Sequence, residues 1–260
     1  MSIVYKMKTY LKSRKAELTT TQLVVLIVLI VSFIIILFLI FRLNPGEQSN
    51  KEICRNSVIL KSRTAGVAGS LDCKTNYLCV SGNGDCEGFT ASAKSEIILT
   101  EGKAEENKKQ VMKALANEMS DCWYMLGEGK LPYEGGFASD TVHCAICSIV
   151  EFDGKIQKAS PKITYSEFYD YLAKTQKEGS DSYLRYLYNT NDPTKIADGA
   201  YFGFDLNKEI DTSQRYSIIT GVDMNPKLLF IGNDYKYLST FIVPTSETPS
   251  TKCNEFITKA

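Results

Sequence analysis

The chain has 260 residues, and its thirty basic and thirty acidic side chains give a formal net charge of zero. This balance hides an asymmetry, because residues 1–22 carry five basic side chains and one acidic side chain, which leaves a net charge of −4 on the remainder. A slightly acidic remainder excludes the strongly basic surfaces typical of proteins that bind nucleic acid.

The longest apolar run covers residues 23–41, where only Ser32 is polar and no residue is charged. As an α-helix it would be about 28 Å long, close to the roughly 30 Å hydrocarbon core of a bilayer. The run is longer than the apolar core of a cleaved signal peptide, and no small-residue cleavage pattern follows it. A helix buried in a soluble domain is the other alternative, but an all-apolar helix would be hard to cover in a small domain. We therefore predict a retained anchor in the lipid bilayer.

The basic flank before this run predicts how the chain crosses the membrane. Short basic flanks stay in the cytoplasm, so residues 1–22 are a predicted cytoplasmic tail and the chain beyond residue 42 is predicted to be extracytoplasmic. All of the cysteines follow the run, as expected of a disulfide-stabilised domain in an oxidising compartment. Their pairing is not deducible from the sequence. They are Cys54, Cys73, Cys79, Cys86, Cys122, Cys144, Cys147 and Cys253.

A short motif in the tail offers a different interpretation of the N-terminus. Residues 15–18, Lys-Ala-Glu-Leu, resemble the processing site of archaeal class III (type IV pilin-like) signal peptides. The resemblance implies cleavage near Ala16 and assembly as a pilin-like subunit. A pilin helix continues beyond the membrane, whereas residues 44–46, Asn-Pro-Gly, are a helix-breaking sequence. We favour an ordinary signal anchor and keep the pilin-like subunit as an alternative.

Residues 43–53 are a predicted polar connector, and a single α+β domain is expected over residues 54–260. A short strand is predicted at 57–60 and another at 96–100. Between them, residues 61–94 are rich in Gly, Ser, Asn and Cys, which indicates loops held by disulfides.

The strongest helical pattern covers residues 103–126, where apolar side chains recur at steps of three and four and charged side chains take the opposite face. The apolar positions are Val111, Leu115, Met119, Cys122 and Leu126. Because Cys122 lies on this buried stripe, it is predicted to anchor the helix to the sheet through a core disulfide. A strand is predicted at 143–152.

The C-terminal half is predicted to hold an aromatic helical pair followed by strands. Thr164 and Glu167 form a capping box for a helix over 165–177, and a short helix is expected over 182–189. The last strands are predicted at 216–220, 227–231 and 235–243, with a hairpin turn at 232–234. Together these elements predict an antiparallel sheet covered by the long helix, with the helical pair inserted before the final strands.

A wider resemblance covers most of the chain. The order of anchor, cysteine-rich loops, the helix ending NEMSDCWYMLGEGK and the strand HCAICSIVEF resembles uncharacterised single-pass membrane proteins of small-genome archaea. The resemblance implies an archaeal cell-surface setting and no particular activity.

The most chemically suggestive motif is Cys144-x-x-Cys147. In a thioredoxin-like site such a pair begins a helix, which makes the first thiol reactive. Here the motif lies in a β-rich run, and residues three apart on a strand point to opposite faces, so their sulfurs would not meet easily. We predict that each pairs elsewhere, one of them with Cys122. An extracytoplasmic thiol–disulfide oxidoreductase that uses Cys144 and Cys147 remains an alternative function.

Other chemistry has little support in the sequence. His143 abuts the cysteine pair, but a structural zinc site usually needs a second pair of ligands, and this is the only histidine. No nucleophile-elbow, P-loop or dinucleotide-binding pattern is present. We therefore predict no cofactor, no metal and no catalytic residues.

The segment 165–204 is rich in tyrosine and phenylalanine, and exposed tyrosines can form recognition surfaces for other proteins. The competing interpretation is that most of these rings pack the helices onto the sheet. The possible partner surface consists of Tyr169, Tyr183, Tyr186 and Tyr188. Our prediction is a membrane-anchored surface or envelope protein with a structural or protein-binding role.

Overall fold

The computed structural model describes residues 20–42, 45–64, 70–88, 90–131, 133, 141–159, 162–179, 181–226 and 233–258. The chain divides into two compact units, Met1–Gly46 and Glu47–Ala260. The predicted tail up to residue 19, including the pilin-like motif at 15–18, lies outside the described residues.

In the first unit, helix α1 spans Thr20–Arg42. Its apolar side chains from Leu23 to Phe38 are exposed, and Ser32 donates a hydrogen bond to the carbonyl oxygen of Leu29 at 2.9 Å. The hydroxyl is thereby satisfied within the helix. Helix α1 is thus long enough and apolar enough to cross a membrane, with its uncharged stretch over Thr21–Phe38.

The predicted connector is largely helical, and the predicted strand at 57–60 is wrong. Helix α2 spans Pro45–Arg63. Proline suits the first turn of a helix, where no amide hydrogen is needed, so this Pro-Gly pair begins a helix. Cys54 and Val58 lie one turn apart and are buried, which gives α2 an inner face. Lys51 forms an ion pair at 2.7 Å with Asp121 of the long helix.

The main sheet of the second unit is mixed, so the predicted purely antiparallel sheet is wrong in part. Its strand order is β2-β1-β3-β6-β7, and β8 pairs with β3 beside β1. Strands β2, β1 and β3 are parallel, β3, β6 and β7 are antiparallel, and β8 is parallel to β3. The strands are β1 (Asn76–Ser81), β2 (Ala93–Glu96), β3 (Thr141–Phe152), β6 (Tyr216–Pro226), β7 (Asn233–Pro244) and β8 (Glu255–Phe256).

Helix α3, Ala104–Met125, confirms the predicted long helix, and its apolar stripe packs against the sheet. The capping box at Thr164 is also confirmed, because its hydroxyl accepts from the amide of Glu167 while the Glu167 carboxylate accepts from the Thr164 amide. The remaining helices are α4 (Gly154–Ala159), α5 (Tyr165–Lys174) and α6 (Tyr183–Tyr188), with 3-10 turns at Pro193–Lys195, Ala197–Tyr201 and Thr245–Ser250. Strands β4 (Ile163–Thr164) and β5 (Glu209–Ile210) form a separate two-stranded sheet.

The predicted strand at 96–100 lies mostly beyond β2, which ends at Glu96. The backbone of Ile98 exchanges two hydrogen bonds with the side-chain amide of Gln110, and Thr100 exchanges two with that of Asn107. The segment is therefore held by amide side chains of α3, which take the place of a neighbouring strand.

The C-terminal strands are longer than predicted. Asn225 and Pro226 of β6 pair with Asp234 and Asn233 of β7, so the predicted hairpin residues 233 and 234 belong to a strand. The predicted strand at 227–231 lies outside the described residues.

A β-bulge in β3 changes which side chains face α3. The register with β6 shifts between Ile146 and Ser148, which leaves Cys147 as an extra residue on β3. Ala145 and Cys147 belong to the main core under α3, and Ser148 contacts α3 as well. Cys147 and Ser148 therefore both face the helix, although they are consecutive.

Candidate functional site

The eight cysteines form four disulfides, and none is free. Cys54 of α2 pairs with Cys73, and Cys79 of β1 pairs with Cys86. On β3, Cys147 pairs with Cys122 of α3, and Cys144 pairs with Cys253 near the C-terminus.

The Cys144-x-x-Cys147 motif does not form a bridge within itself. Cys147 belongs to the core under α3, whereas Cys144 belongs to a smaller cluster that includes Ile219, Leu238 and Phe241. The two sulfurs therefore lie on opposite faces of the sheet, as the alternation of side chains along a strand requires. Both cysteines are almost fully buried, so the structure presents no accessible thiol pair at this motif.

The ring of His143 contacts two side chains of neighbouring positions in the sheet. Its Nε2 atom is 2.8 Å from the Thr141 hydroxyl, and its Nδ1 atom is 3.4 Å from a carboxylate oxygen of Glu255, its pairing partner on β8. Among the residues that the structure describes, no group of three metal-ligating side chains comes together.

The sequence pattern did not single out Glu118, a buried carboxyl group of α3. Its Oε1 atom accepts hydrogen bonds from the Ser148 hydroxyl and, at 3.2 Å, from the Asn76 amide. Burial raises the pKa of Glu118, although the bonds from Ser148 and Asn76 and the nearby charge of Lys51 oppose this shift. Glutamate in a charged helix is ordinarily exposed, so only the tertiary structure shows this group.

The tyrosines of the predicted partner surface are mainly structural. Tyr169 is fully buried and Tyr183 is 5% exposed, so neither offers a surface. The hydroxyls of Tyr169 and Tyr188 are 3.0 Å apart, and Tyr188 donates to the carbonyl oxygen of Thr240 on β7. Tyr165 donates to the carbonyl oxygen of Ile242, two residues further along the same strand, at 2.9 Å.

The bonds to Thr240 and Ile242 give Tyr188 and Tyr165 a structural role. Strand β7 lies at the end of the strand order, where backbone groups are open to unwanted pairing. The hydroxyls of Tyr165 and Tyr188 satisfy carbonyl groups on that edge, while their rings pack on the core. Desolvation raises the pKa of both tyrosines far above the ordinary value, so they remain neutral donors.

Tyr186 and Tyr188 are both partly exposed, and both line an open groove of about 580 Å³. The groove lies between the end of α3, helix α6 and strand β7. Its walls include Trp123, which is the only tryptophan of the chain, and the paired charges of Glu128 and Lys130. Arg185 of α6 and Lys236 of β7 also line it. We call this feature the Trp123 groove.

The turn that follows α3 shapes one wall of the groove through three successive left-handed residues. Their φ angles are 87° at Gly127, 56° at Glu128 and 67° at Gly129. A non-glycine residue rarely adopts this conformation, which costs roughly 1–2 kcal/mol. A Cβ atom on Gly129 would lie 3.0 Å from the Trp123 ring, so the turn also needs a glycine for close approach.

Glu128 is fixed in this strained position by three partners. Its carboxylate accepts a hydrogen bond from the Tyr186 hydroxyl at 2.9 Å and lies 3.5 Å from Lys130 and 3.7 Å from Arg55. Burial alone would raise the pKa of Glu128, but the bond from Tyr186 and the charges of Lys130 and Arg55 outweigh it and lower the pKa. Glu128 is therefore ionised, and Lys130 and Arg55 balance its negative charge.

Two of the acidic groups that pair with the cations of the groove, Glu128 and Asp198, are more buried than those cations, whereas Asp181, the partner of Arg185, is 71% exposed. The side chains of Lys130, Arg185 and Lys236 are 76%, 52% and 50% exposed, whereas Glu128 is only 21% exposed. Asp198, which pairs with Lys236 at 3.1 Å, is 16% exposed. We call Lys130, Arg185 and Lys236 the rim cations; Lys130 and Lys236 are more exposed than the carboxylates that pair with them.

Comparisons with protein-family models, with curated proteins and with solved structures give no match to this chain. The site is thus interpreted from its own geometry.

Proposed function

We propose that the protein is a single-pass membrane protein of the cell surface or envelope, and that its C-terminal domain binds a partner outside the cytoplasm. The apolar helix α1 and the four disulfides support this location, since disulfides persist in oxidising compartments. An archaeal setting stays a prediction from the sequence resemblance.

The observation that carries a binding role is the Trp123 groove. It combines an aromatic wall, exposed cations and a strained turn, and such turns are maintained where a function requires them. Its volume falls within the range of about 300–1,000 Å³ that is common for ligand sites.

The groove does not resemble a catalytic site. Among the described residues that line it, Glu128 is the one carboxylate, and it is already neutralised by Tyr186, Lys130 and Arg55. The thiol–disulfide alternative gains no support from Cys144 and Cys147, because each is buried and bonded to a different cysteine.

A thiol-labelling experiment on intact cells tests the proposal. Ser2→Cys places a single thiol in the tail, and Lys158→Cys places one on an exposed position of the domain. A membrane-impermeant maleimide should label the Lys158→Cys protein in intact cells and the Ser2→Cys protein only after permeabilisation. Unmutated protein, with all of its cysteines paired, is the blank. Labelling with the reverse pattern would contradict the proposal.

A further inference from the structure

We infer that the Trp123 groove binds an acidic segment of a partner protein, in which carboxylate side chains contact Lys130, Arg185 and Lys236 while neighbouring side chains pack against the aromatic wall. This inference rests on the proposed function and specifies the partner's chemistry.

The exposed cations of the groove are complementary to an acidic partner. The rim cations are each at least half exposed, and Lys130 and Lys236 are more exposed than Glu128 and Asp198, the carboxylates that pair with them. Among the residues that the structure describes, Arg185 forms an ion pair with Asp181 alone, a surface pair of the i, i+4 type at 3.1 Å. Exposed pairs of this kind contribute little to stability, so Arg185 can exchange Asp181 for a partner carboxylate at little cost.

The negative end of α3 does not cancel this positive rim. The carbonyl ends of helices carry partial negative charge and attract cations. Arg55 already serves this role, because its guanidinium donates to the carbonyl oxygen of Tyr124 and stacks on the Tyr124 ring at 3.7 Å. Lys130, Arg185 and Lys236 are not needed for this purpose.

The composition of the wall favours a protein partner. Trp, Tyr and Arg are the residues that most often dominate protein–protein binding energy. The groove presents Trp123, Tyr186 and Arg185 together. A carboxylate-rich polypeptide can use both the rings and the cations.

The groove is also preorganised. Trp123 follows Cys122, which is bonded to Cys147 of β3, so the end of α3 is covalently fixed to the sheet. The turn at Gly127–Gly129 is held by its own hydrogen bonds, including one from the Glu128 amide to the Trp123 carbonyl at 2.9 Å. A rigid site loses less entropy when a flexible segment binds.

The test uses the full-length protein in detergent or nanodiscs and a short, terminally blocked glutamate-rich peptide. Because Trp123 is the only tryptophan, its fluorescence reports directly on the groove. The acidic peptide should change this fluorescence in a saturable manner and bind more weakly as salt is added. Glutamine-rich and lysine-rich peptides of equal length should leave the signal unchanged.

A matched pair of triple variants locates the binding. Lys130→Gln/Arg185→Gln/Lys236→Gln should raise the Kd of the acidic peptide about tenfold or more, since charge pairs across an interface set affinity and association rate. Lys94→Gln/Lys162→Gln/Lys174→Gln also removes three ion-paired surface cations, but away from the groove. It should change the Kd less than about twofold, and equal thermal stabilities of the two triples would exclude unfolding as the cause.

Three outcomes would overturn the inference. They are an equal loss of affinity in both triple variants, no response to any acidic peptide, and binding of an acidic polysaccharide such as polygalacturonate in place of the peptide. In each case the labelling pattern of Lys158→Cys still decides the proposed function separately. A Lys158→Cys domain protected in intact cells would refute the proposed function whatever the peptide does.

Discussion

In the parallel and antiparallel halves of the sheet, side chains satisfy backbone groups in different ways. In the half formed by β2, β1 and β3, the extended chain beyond β2 is held by amide side chains of Asn107 and Gln110. In the half formed by β3, β6 and β7, tyrosine hydroxyls satisfy the edge carbonyls. A run of tyrosines before a C-terminal hairpin can therefore protect an edge, and one of them, Tyr188, also lines the groove together with Tyr186.

The largest expected effect comes from the two disulfides of β3, one on each face. The bond Cys144–Cys253 spans 109 residues and Cys122–Cys147 spans 25. In the chain-entropy model, removing them costs about 5 and about 3.5 kcal/mol, respectively. Denaturant unfolding of Cys144→Ala/Cys253→Ala and Cys122→Ala/Cys147→Ala measures both. A greater loss from the second pair would show that packing under α3 outweighs loop length.

The second effect tests edge protection by tyrosine. Tyr188→Phe leaves the Thr240 carbonyl without its donor and should lower the free energy of unfolding by about 1–3 kcal/mol. Tyr124→Phe is the control, because its hydroxyl bonds the Glu52 carboxylate at the surface, where water can replace it. Thermal and denaturant unfolding of both variants give the comparison. Equal losses would remove the special role of the β7 edge.

The third effect concerns the turn beside the groove. Gly129→Ala places a Cβ at a φ of 67° and against the Trp123 ring, so it should destabilise the domain by about 1–2 kcal/mol and shift the tryptophan fluorescence. Gly88→Ala has a similar φ of 69° but open space around it. The fluorescence of Gly88→Ala should match that of the unmutated protein. If both variants shifted the fluorescence, the shift would not report a specific contact between the turn and Trp123.

The last and smallest effect is a pH dependence of the free energy of unfolding. It comes from Glu118, which bonds side chains of β1 and β3 in the parallel half. Burial raises the pKa of Glu118 in the folded protein above its unfolded value of about 4.3. The folded state then binds the proton more tightly, so this group's contribution to stability falls as pH rises from the unfolded pKa toward the folded pKa, and then levels off. Glu118→Gln should lack this fall.

Denaturant titrations between about pH 4 and pH 8 measure the difference in unfolding free energy between each variant and the unmutated protein. The exposed substitution Glu101→Gln is the control. If the difference for Glu118→Gln does not change with pH, ionisation of Glu118 is not linked to folding.

Local patterns in the sequence predicted the elements that depend on local physics. The stripe through Val111 and Met119 predicted α3, and Thr164 with Glu167 predicted the start of α5. The Pro45 helix was missed because proline suits both a loop and a first helical turn. Strand direction depends on non-local pairing, so the parallel arrangement of β1 and β3 was not readable from alternation alone.

The site depended even more on the tertiary structure. Periodicity could not separate Tyr186 and Tyr188, which line the groove, from Tyr169, which is fully buried. Glu128, Arg185 and Lys236 come from three distant parts of the chain and look like ordinary surface charges in the sequence. Gly127 and Gly129, on either side of Glu128, were the one local signal of the groove, since two glycines around a single residue often mark a left-handed turn.

The extra residue at the β3 bulge determines which of the following side chains of the strand face the core. Side chains alternate between faces, so an insertion or deletion of one residue would exchange the inner and outer positions from Ser148 to Phe152. Val150 and Phe152 would then leave the core, while Ile149 and Glu151 would enter it. We therefore expect the domain to tolerate substitutions between Cys144 and Phe152 far better than an insertion or deletion in that segment.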